Sequence, residues 1–163
     1  IDRQRFTQAF AVPAEQLLTL HGHAYQVTAE VAIDFYTGMR ACGTPFEYFV
    51  IDDAGQRTRA GSALADNPSQ LANGYLLWEV YCEGAEPVIF AVAQVQPNGS
   101  IAYIGSVSPR SLGVRGEFGA HEVQDDGSII FRGEPFGSTE TLTDTFDLDD
   151  LLTALGVAFE AAS

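Results

Sequence analysis

The chain contains no lysine. Its eight basic residues are all arginine, and 22 acidic residues outweigh them, so the net charge is −14 at neutral pH. Nucleic acids and anionic membrane surfaces are bound through basic stripes, so we expect neither as a partner. The charge favours a basic protein partner. High net charge also keeps a protein soluble without any partner.

Long apolar runs are absent as well. No stretch approaches the ~20 apolar residues of a membrane helix, and the opening IDRQRFTQAF lacks the apolar core of a signal peptide. We therefore expect a soluble, cytoplasmic protein, with a processed N-terminus because the first residue is not Met.

Cysteine is scarce. Cys42 and Cys82 lie in apolar stretches, which is typical of buried thiols and leaves a disulfide open.

Helical patterns dominate the first third of the chain. Phe6 and Phe10 are four positions apart, which favours a helix over residues 2–11, and Pro13 suits the first turn of a second helix through AEQLLTL. Residues 24–42 fit two periods. Every second residue from 25 to 35 is apolar, as in a strand, whereas positions 27, 31, 35 and 39 are also apolar, as on a helix face. The ending RACGTP is typical of a helix stop, so we predict a helix over 28–42 and leave a strand over 24–35 open.

Strand and turn signals fill the middle of the chain. In YLLWEVYC, the apolar Leu76, Trp78, Val80 and Cys82 share one face and Glu79 lies on the other. PVIFAVAQV, residues 87–95, is apolar on both faces and predicts a central strand. Asn98-Gly99 and Asp126-Gly127 predict tight hairpins.

The whole pattern predicts an α+β fold. We expect a single domain over residues 1–163, with N-terminal helices, a central antiparallel β-meander and a C-terminal helix packed on one face of the sheet. Asp147 is the predicted N-cap of that last helix, LDDLLTALGVAFEAA, because an aspartate side chain accepts hydrogen bonds from the first turn.

The segment LHGHAYQVTAEV places two imidazoles around a glycine. It resembles the HGH strand of the 6-pyruvoyl-tetrahydropterin synthase and queuosine-precursor family. That resemblance implies zinc ligation by His21 and His23, and a reduced pterin as substrate. The family's third histidine lies upstream, where this chain has none, and only His121 remains to complete the three or four ligands that zinc needs. We expect no metal at His21, His23 and His121, and a turn at the HGH.

Other catalytic signals are sparse. The chain has no nucleophile elbow, phosphate-binding loop or dinucleotide fingerprint, so we assign no catalytic residue and no cofactor. Glu47 and Glu79, on strands expected to be neighbours, suit acid–base catalysis, but such pairs arise by chance among 22 acids. Aromatic residues on the strands, Trp78 and Phe90 among them, favour core packing. The alternative is an enzyme or small-ligand-binding protein with an aromatic pocket between sheet and helices, similar to nuclear transport factor 2.

Residues 75–105 place a glycine-containing turn between two apolar strands. In this respect the stretch resembles the SUKH immunity superfamily, which implies a bacterial, non-catalytic protein that neutralises a basic partner protein. Seven acidic residues and no base follow Arg132. Three of them, Glu134, Glu140 and Asp144, lie in GEPFGSTETLTD, which has the composition of a loop. Because loops on a rigid scaffold often carry binding groups, we predict that these three contact the partner.

Overall fold

The computed structural model describes residues 16–29, 46–63, 67–80 and 88–157. Within them lie β1 (Gln16–Leu20), β2 (His23–Ala29), β3 (Phe46–Ile51), β4 (Arg57–Ala63), β5 (Ser69–Gln70), β6 (Tyr75–Val80), β7 (Ile89–Val95), β8 (Ile101–Val107), β9 (Phe118–Val123), β10 (Ile129–Glu134), β11 (Leu142–Phe146) and the helix α1 (Leu148–Ala154). Short 3₁₀ helices span Ala72–Gly74 and Pro109–Leu112. The strands form three antiparallel sheets, β1-β2-β3-β4, β5-β6-β7-β8 and β11-β10-β9.

The predicted α+β fold is wrong, because the described residues are mainly β-strand and contain α1 as their single α-helix. Residues 16–20, predicted to be helical, form β1, and Thr28, the predicted start of a helix, lies in β2. A spacing of four residues keeps side chains on one face in a strand as well as in a helix, so it cannot separate the two. The remainder of the predicted N-terminal helices, residues 2–15 and 30–42, lies outside the described residues.

Strands β6 and β7 bury large apolar side chains on both faces. Leu76 and Trp78, at most 2% exposed, point into a core shared with the first sheet. Leu77 and Phe90, both fully buried, point into a second core shared with the third sheet. A strand that is apolar on both faces must be covered on both sides, so the second sheet is the middle of three layers. The prediction of a central strand is confirmed, since β7 pairs with β6 and with β8.

The aromatic residues of the second sheet mainly pack into cores, as predicted, and do not share one face. Trp78 and Phe90 belong to opposite cores, and the Tyr103 side chain is 60% exposed. Leu151 and Leu152 of helix α1 are buried, and Leu151 belongs to the second core. Trp78, Phe90 and Tyr103 therefore do not line one common pocket.

A line of aromatic side chains joins the first and second sheets. Tyr25 packs edge-on against Tyr48, and Tyr48 against Trp78, with ring centroids 6.5 and 6.1 Å apart. Trp78 Nε1 donates to the Tyr48 hydroxyl at 3.1 Å, and the Tyr25 hydroxyl donates to the Gly99 carbonyl at 2.5 Å. Buried aromatic residues with polar groups need such partners. These aromatic contacts and hydrogen bonds therefore fix the packing of the first sheet against the second.

Both predicted hairpins are confirmed. Residues 96–100 connect β7 to β8, and residues 124–128 connect β9 to β10. Gly99 has φ +88, and a Cβ there would approach Val50 Cγ2 to 2.7 Å. Glycine is thus required at this position by the turn and by the first sheet packed against it.

The predicted N-cap of the last helix is confirmed. The helix itself is shorter than predicted. The Asp147 side chain accepts from the Asp150 backbone N–H, and the Asp150 side chain accepts from that of Asp147. The helix ends at Ala154, because Gly156 takes φ +72 and terminates it. No helix among the described residues is long and apolar enough to cross a membrane.

The first prediction concerns Trp78. Trp78→Ala should lower the free energy of unfolding by ~3–5 kcal/mol, because the cavity left between two layers cannot collapse fully. Urea denaturation followed by circular dichroism measures this. The matched control is Tyr103→Ala, at the exposed residue on β8, which should change the stability by less than ~1 kcal/mol. Equal losses in the two variants would contradict the burial of Trp78 between layers.

The second prediction concerns Tyr25. Burial raises its pKa from 10.0 to about 12, because the phenolate loses hydration. Between about pH 10 and about pH 12 the Tyr25 phenol is therefore neutral in the folded state and ionised in the unfolded state. The stability that Tyr25 contributes is fully present below about pH 10 and falls as the pH rises through this range. The chain has no lysine, so tyrosines dominate titration in this range.

Tyr25→Phe tests this. The variant should be less stable at neutral pH, since the Gly99 carbonyl loses its donor, by roughly 1–3 kcal/mol. The stability difference between wild type and variant should shrink steadily above pH 10. Denaturant titrations at a series of pH values give both quantities, and a constant difference would show that the Tyr25 phenol ionises alike in the two states.

Candidate functional site

His21 and Gly22 form the two-residue turn between β1 and β2, as expected for the HGH. Their φ angles are +47 and +81, which is the type I′ geometry of tight hairpins. His21 Nε2 lies 2.9 Å from the Tyr75 carbonyl oxygen. Because a carbonyl only accepts, Nε2 carries the proton in this bond and is not free to ligate a metal. The turn serves to attach the first sheet to the second.

The three histidines do not meet. His21 and His23 lie at the turn of the first sheet, whereas His121 lies on β9 in the third sheet. Among residues 16–29, 46–63, 67–80 and 88–157, no group of three or more His, Cys, Asp or Glu side chains is placed to hold a metal ion. The zinc site implied by the likeness to the pterin synthase family is therefore not formed there.

His21 and His23 instead border an open depression of about 400 Å³. Its remaining lining comes mostly from the ends of the second sheet: Asn73, Gly74, Gln94, Val95, Gln96 and Pro97. The walls offer amide and imidazole groups and no carboxylate. The depression is too open to exclude water, which a site for acid–base chemistry generally requires.

His121 belongs to a line of three polar side chains between the second and third sheets. Its Nδ1 and its backbone N–H both contact Glu79 Oε1, and its Nε2 lies 2.8 Å from Ser69 Oγ. The side chains of His121 and Glu79 are only 10% and 14% exposed. Phe90 packs edge-on against the imidazole at a centroid distance of 6.0 Å. A carboxylate, an imidazole and a hydroxyl are thus aligned in a largely dry environment.

The strand register explains this alignment. Glu79 and Leu77 share the face of β6 that points to the third sheet, and Ser69 pairs with Leu77 on the short strand β5. His121 pairs with Phe131, whose ring points into the same core. We call Ser69, His121 and Glu79 the Ser–His–Glu line.

The sequence gives only weak signals for the Ser–His–Glu line. Glu79 is the one charged residue in the otherwise apolar β6, and a lone carboxylate in a buried strand calls for a hydrogen-bond partner. Nothing local identifies that partner, because Ser69 and His121 are 52 positions apart in sequence. The prediction that Glu47 and Glu79 lie on neighbouring strands is wrong, because β3 and β6 belong to different sheets. Glu47 instead pairs with Arg59 at 3.7 Å.

The three predicted partner-binding residues have different surroundings. Glu134 is half-buried at the end of β10, Glu140 is exposed in the loop that follows, and Asp144 lies in β11. The loop assignment is therefore correct only for Glu140. The Asp144 carboxylate accepts from the backbone N–H of Arg115 at 2.9 Å and from its guanidinium Nε at 3.2 Å. These bonds, the backbone one first, hold the pKa of Asp144 below its ordinary value.

Other acidic residues gather at one end of the third sheet. Val123, Ile129 and Phe146 lie side by side in the register of β9, β10 and β11. The 124–128 turn and the start of α1 therefore leave the sheet at the same end, within roughly 10 Å of each other. We call the five exposed carboxylates there the acidic end: Asp125, Asp126, Asp147, Asp149 and Asp150.

The bases nearest in sequence do not neutralise the acidic end. Arg115 pairs with Asp144, and Arg132 pairs with Glu122 at 3.2 Å. The Ser128 hydroxyl and backbone N–H hold the pKa of Asp126 below its ordinary value, so that carboxylate stays ionised over a wide pH range. The five carboxylates of the acidic end thus form no ion pair with Arg115 or Arg132.

Comparison of the chain with protein family models, with curated proteins and with solved structures finds no match.

The third prediction concerns Asp144. Asp144→Asn should lower the melting temperature, because it weakens the hydrogen bonds that hold the segment before β9 against β11. Glu140→Gln, a matched change at an exposed neighbouring carboxylate, should leave it nearly unchanged. Differential scanning calorimetry at neutral pH compares the two variants. Equal melting temperatures would show that the contact between Asp144 and Arg115 does not support the fold.

Proposed function

We propose that this chain binds a basic partner protein through the acidic end, in the manner of an immunity protein that neutralises a toxin. The observation that carries the proposal is the register of the third sheet, which brings two acidic segments together at one exposed end. Complementary charge speeds encounter with a basic protein and selects against acidic ones. The faint likeness of residues 75–105 to the SUKH superfamily supports the same class of function.

We propose a contact surface that differs from the one expected from the sequence. Asp144 is engaged by Arg115 and Glu134 is half-buried, which leaves Glu140 as the exposed member of the predicted set. The acidic end offers five exposed carboxylates at one end of the third sheet. Asp147 and Asp150 also cap α1, and Asp126 also accepts from Ser128, so Asp125 and Asp149 are the members that are best replaced.

The fourth prediction tests the acidic end with an oligoarginine peptide as a stand-in for a basic surface. The double variant Asp125→Asn, Asp149→Asn should bind the peptide more weakly by roughly 0.5–2 kcal/mol, since each surface ion pair contributes about 0.2–1 kcal/mol. Fluorescence anisotropy at several salt concentrations measures the affinity, which should fall as salt screens the charges.

The matched control removes the same charge elsewhere. Asp53→Asn, Glu140→Gln changes two exposed carboxylates that lie away from the acidic end. This double variant should keep most of the wild-type affinity. If both double variants lose the same affinity, the net charge alone attracts the peptide and the acidic end is not a binding surface. An affinity that does not depend on salt would also contradict the proposal.

A further inference from the structure

For an ionised Glu79 and a neutral His121, the hydrogen bonds of the Ser–His–Glu line have one consistent direction. The ionised Glu79 carboxylate only accepts, so His121 Nδ1 carries a proton and donates to Oε1. In the neutral imidazole, Nε2 then carries a lone pair, and it accepts from the Ser69 hydroxyl at 2.8 Å. The Glu79 carboxylate also accepts from the His121 backbone N–H, which fixes the imidazole on its own strand.

This direction is the one that activates a hydroxyl. A serine becomes a nucleophile when a neighbouring base takes its proton and a third group holds that base in the correct tautomer. We infer that Ser69 is the nucleophile of an acyl-transfer site, with His121 as general base and Glu79 as the positioning residue. This inference is independent of the proposed binding of a basic partner.

The position of Ser69 allows a substrate to approach. β5 has two residues and is an edge strand of the second sheet, paired only with β6 among the described strands. Ser69 is half-exposed, while the imidazole and the carboxylate behind it are nearly buried. Ser69 is therefore partly accessible, whereas its supporting groups are shielded from water, which strengthens the hydrogen bonds between them.

The reaction balances without a cofactor. The Ser69 Oγ–H proton passes to His121 Nε2 as Oγ bonds to the acyl carbon of an ester. The bond from that carbon to the leaving oxygen then breaks, and Nε2 returns its proton to the leaving alcohol. Water repeats the sequence on the acylated Ser69, which releases the carboxylic acid and restores the hydroxyl. The net change is ester and water to acid and alcohol.

The charge of the chain limits the substrate class. His121 lies two residues, roughly 7 Å along the strand, before Val123, where β9 ends and the turn with Asp125 and Asp126 begins. With a net charge of −14, the protein repels anionic esters and attracts cationic ones. We therefore assign esters with an uncharged or positively charged alcohol.

The test uses p-nitrophenyl acetate as the probe. The full-length protein should release p-nitrophenol with an initial burst, and mass spectrometry of the quenched reaction should place one acetyl group on Ser69. Ser69→Ala should abolish the burst, and His121→Gln should slow acylation on the order of 100-fold or more, as expected for loss of a general base. The matched control is Ser106→Ala, an exposed serine on β8, which should behave as wild type.

Two further variants separate chemistry from folding. Ser69→Cys keeps a nucleophile beside His121 and should be acylated at the new thiol even if Ser69→Ala proves unstable. Glu79→Gln should move the His121 proton to Nε2, seen in the ¹⁵N shifts of the imidazole, and slow acylation in a protein that still melts cooperatively. Acetylation of His121 itself in the wild-type protein would overturn the inference. So would acetylation of Ser69 in the folded His121→Gln variant at the wild-type rate. The line would then be a polar link between sheets.

Discussion

The structure depends on the burial of both faces of β6 and β7. A strand pair with leucine, tryptophan and phenylalanine on both sides cannot leave either side in water, because each large side chain loses ~1.5–3 kcal/mol when exposed. The first sheet covers Leu76 and Trp78, and the third sheet with α1 covers Leu77 and Phe90. The three-layer arrangement is the consequence. The prediction of one sheet covered by helices on one face fails at this point, since it leaves the second apolar face open.

The same burial explains the Ser–His–Glu line. Glu79 occupies β6 at a position where its neighbours are core residues, and a carboxylate there is costly unless hydrogen bonds satisfy it. The backbone N–H and the imidazole Nδ1 of His121, on the third sheet, supply these hydrogen bonds. The imidazole is then oriented with Nε2 toward Ser69. A requirement of packing thus produces an arrangement that also suits nucleophilic chemistry, and the acylation experiment distinguishes the two roles.

The acidic end follows from a different constraint. Antiparallel register places the turn after β9 and the residue after β11 at one end of the sheet. Asp126 and Asp147 are favoured there for local reasons, since each accepts hydrogen bonds from the backbone that follows it. Their charges add to those of Asp125 and Asp149, and the resulting field is a property of the assembled sheet. Turn and capping chemistry therefore bring these charges together at one end of the third sheet.

Local features of the chain could be predicted from its sequence. The hairpins at Asn98-Gly99 and Asp126-Gly127, the cap at Asp147, the turn at His21-Gly22 and the inward face of Trp78 each depend on neighbours within a few residues, whose conformational preferences are intrinsic. The acidic composition can likewise be read without the structure.

Only the tertiary structure decided that Gln16–Leu20 is a strand, because pairing with β2 outweighs a weak helical pattern. It alone decided that Asp144 is engaged by Arg115 and that Ser69, Glu79 and His121 meet. These contacts join residues 29 to 52 positions apart, and their partners are set by which sheets stack on which faces, a choice made by the burial of the whole core.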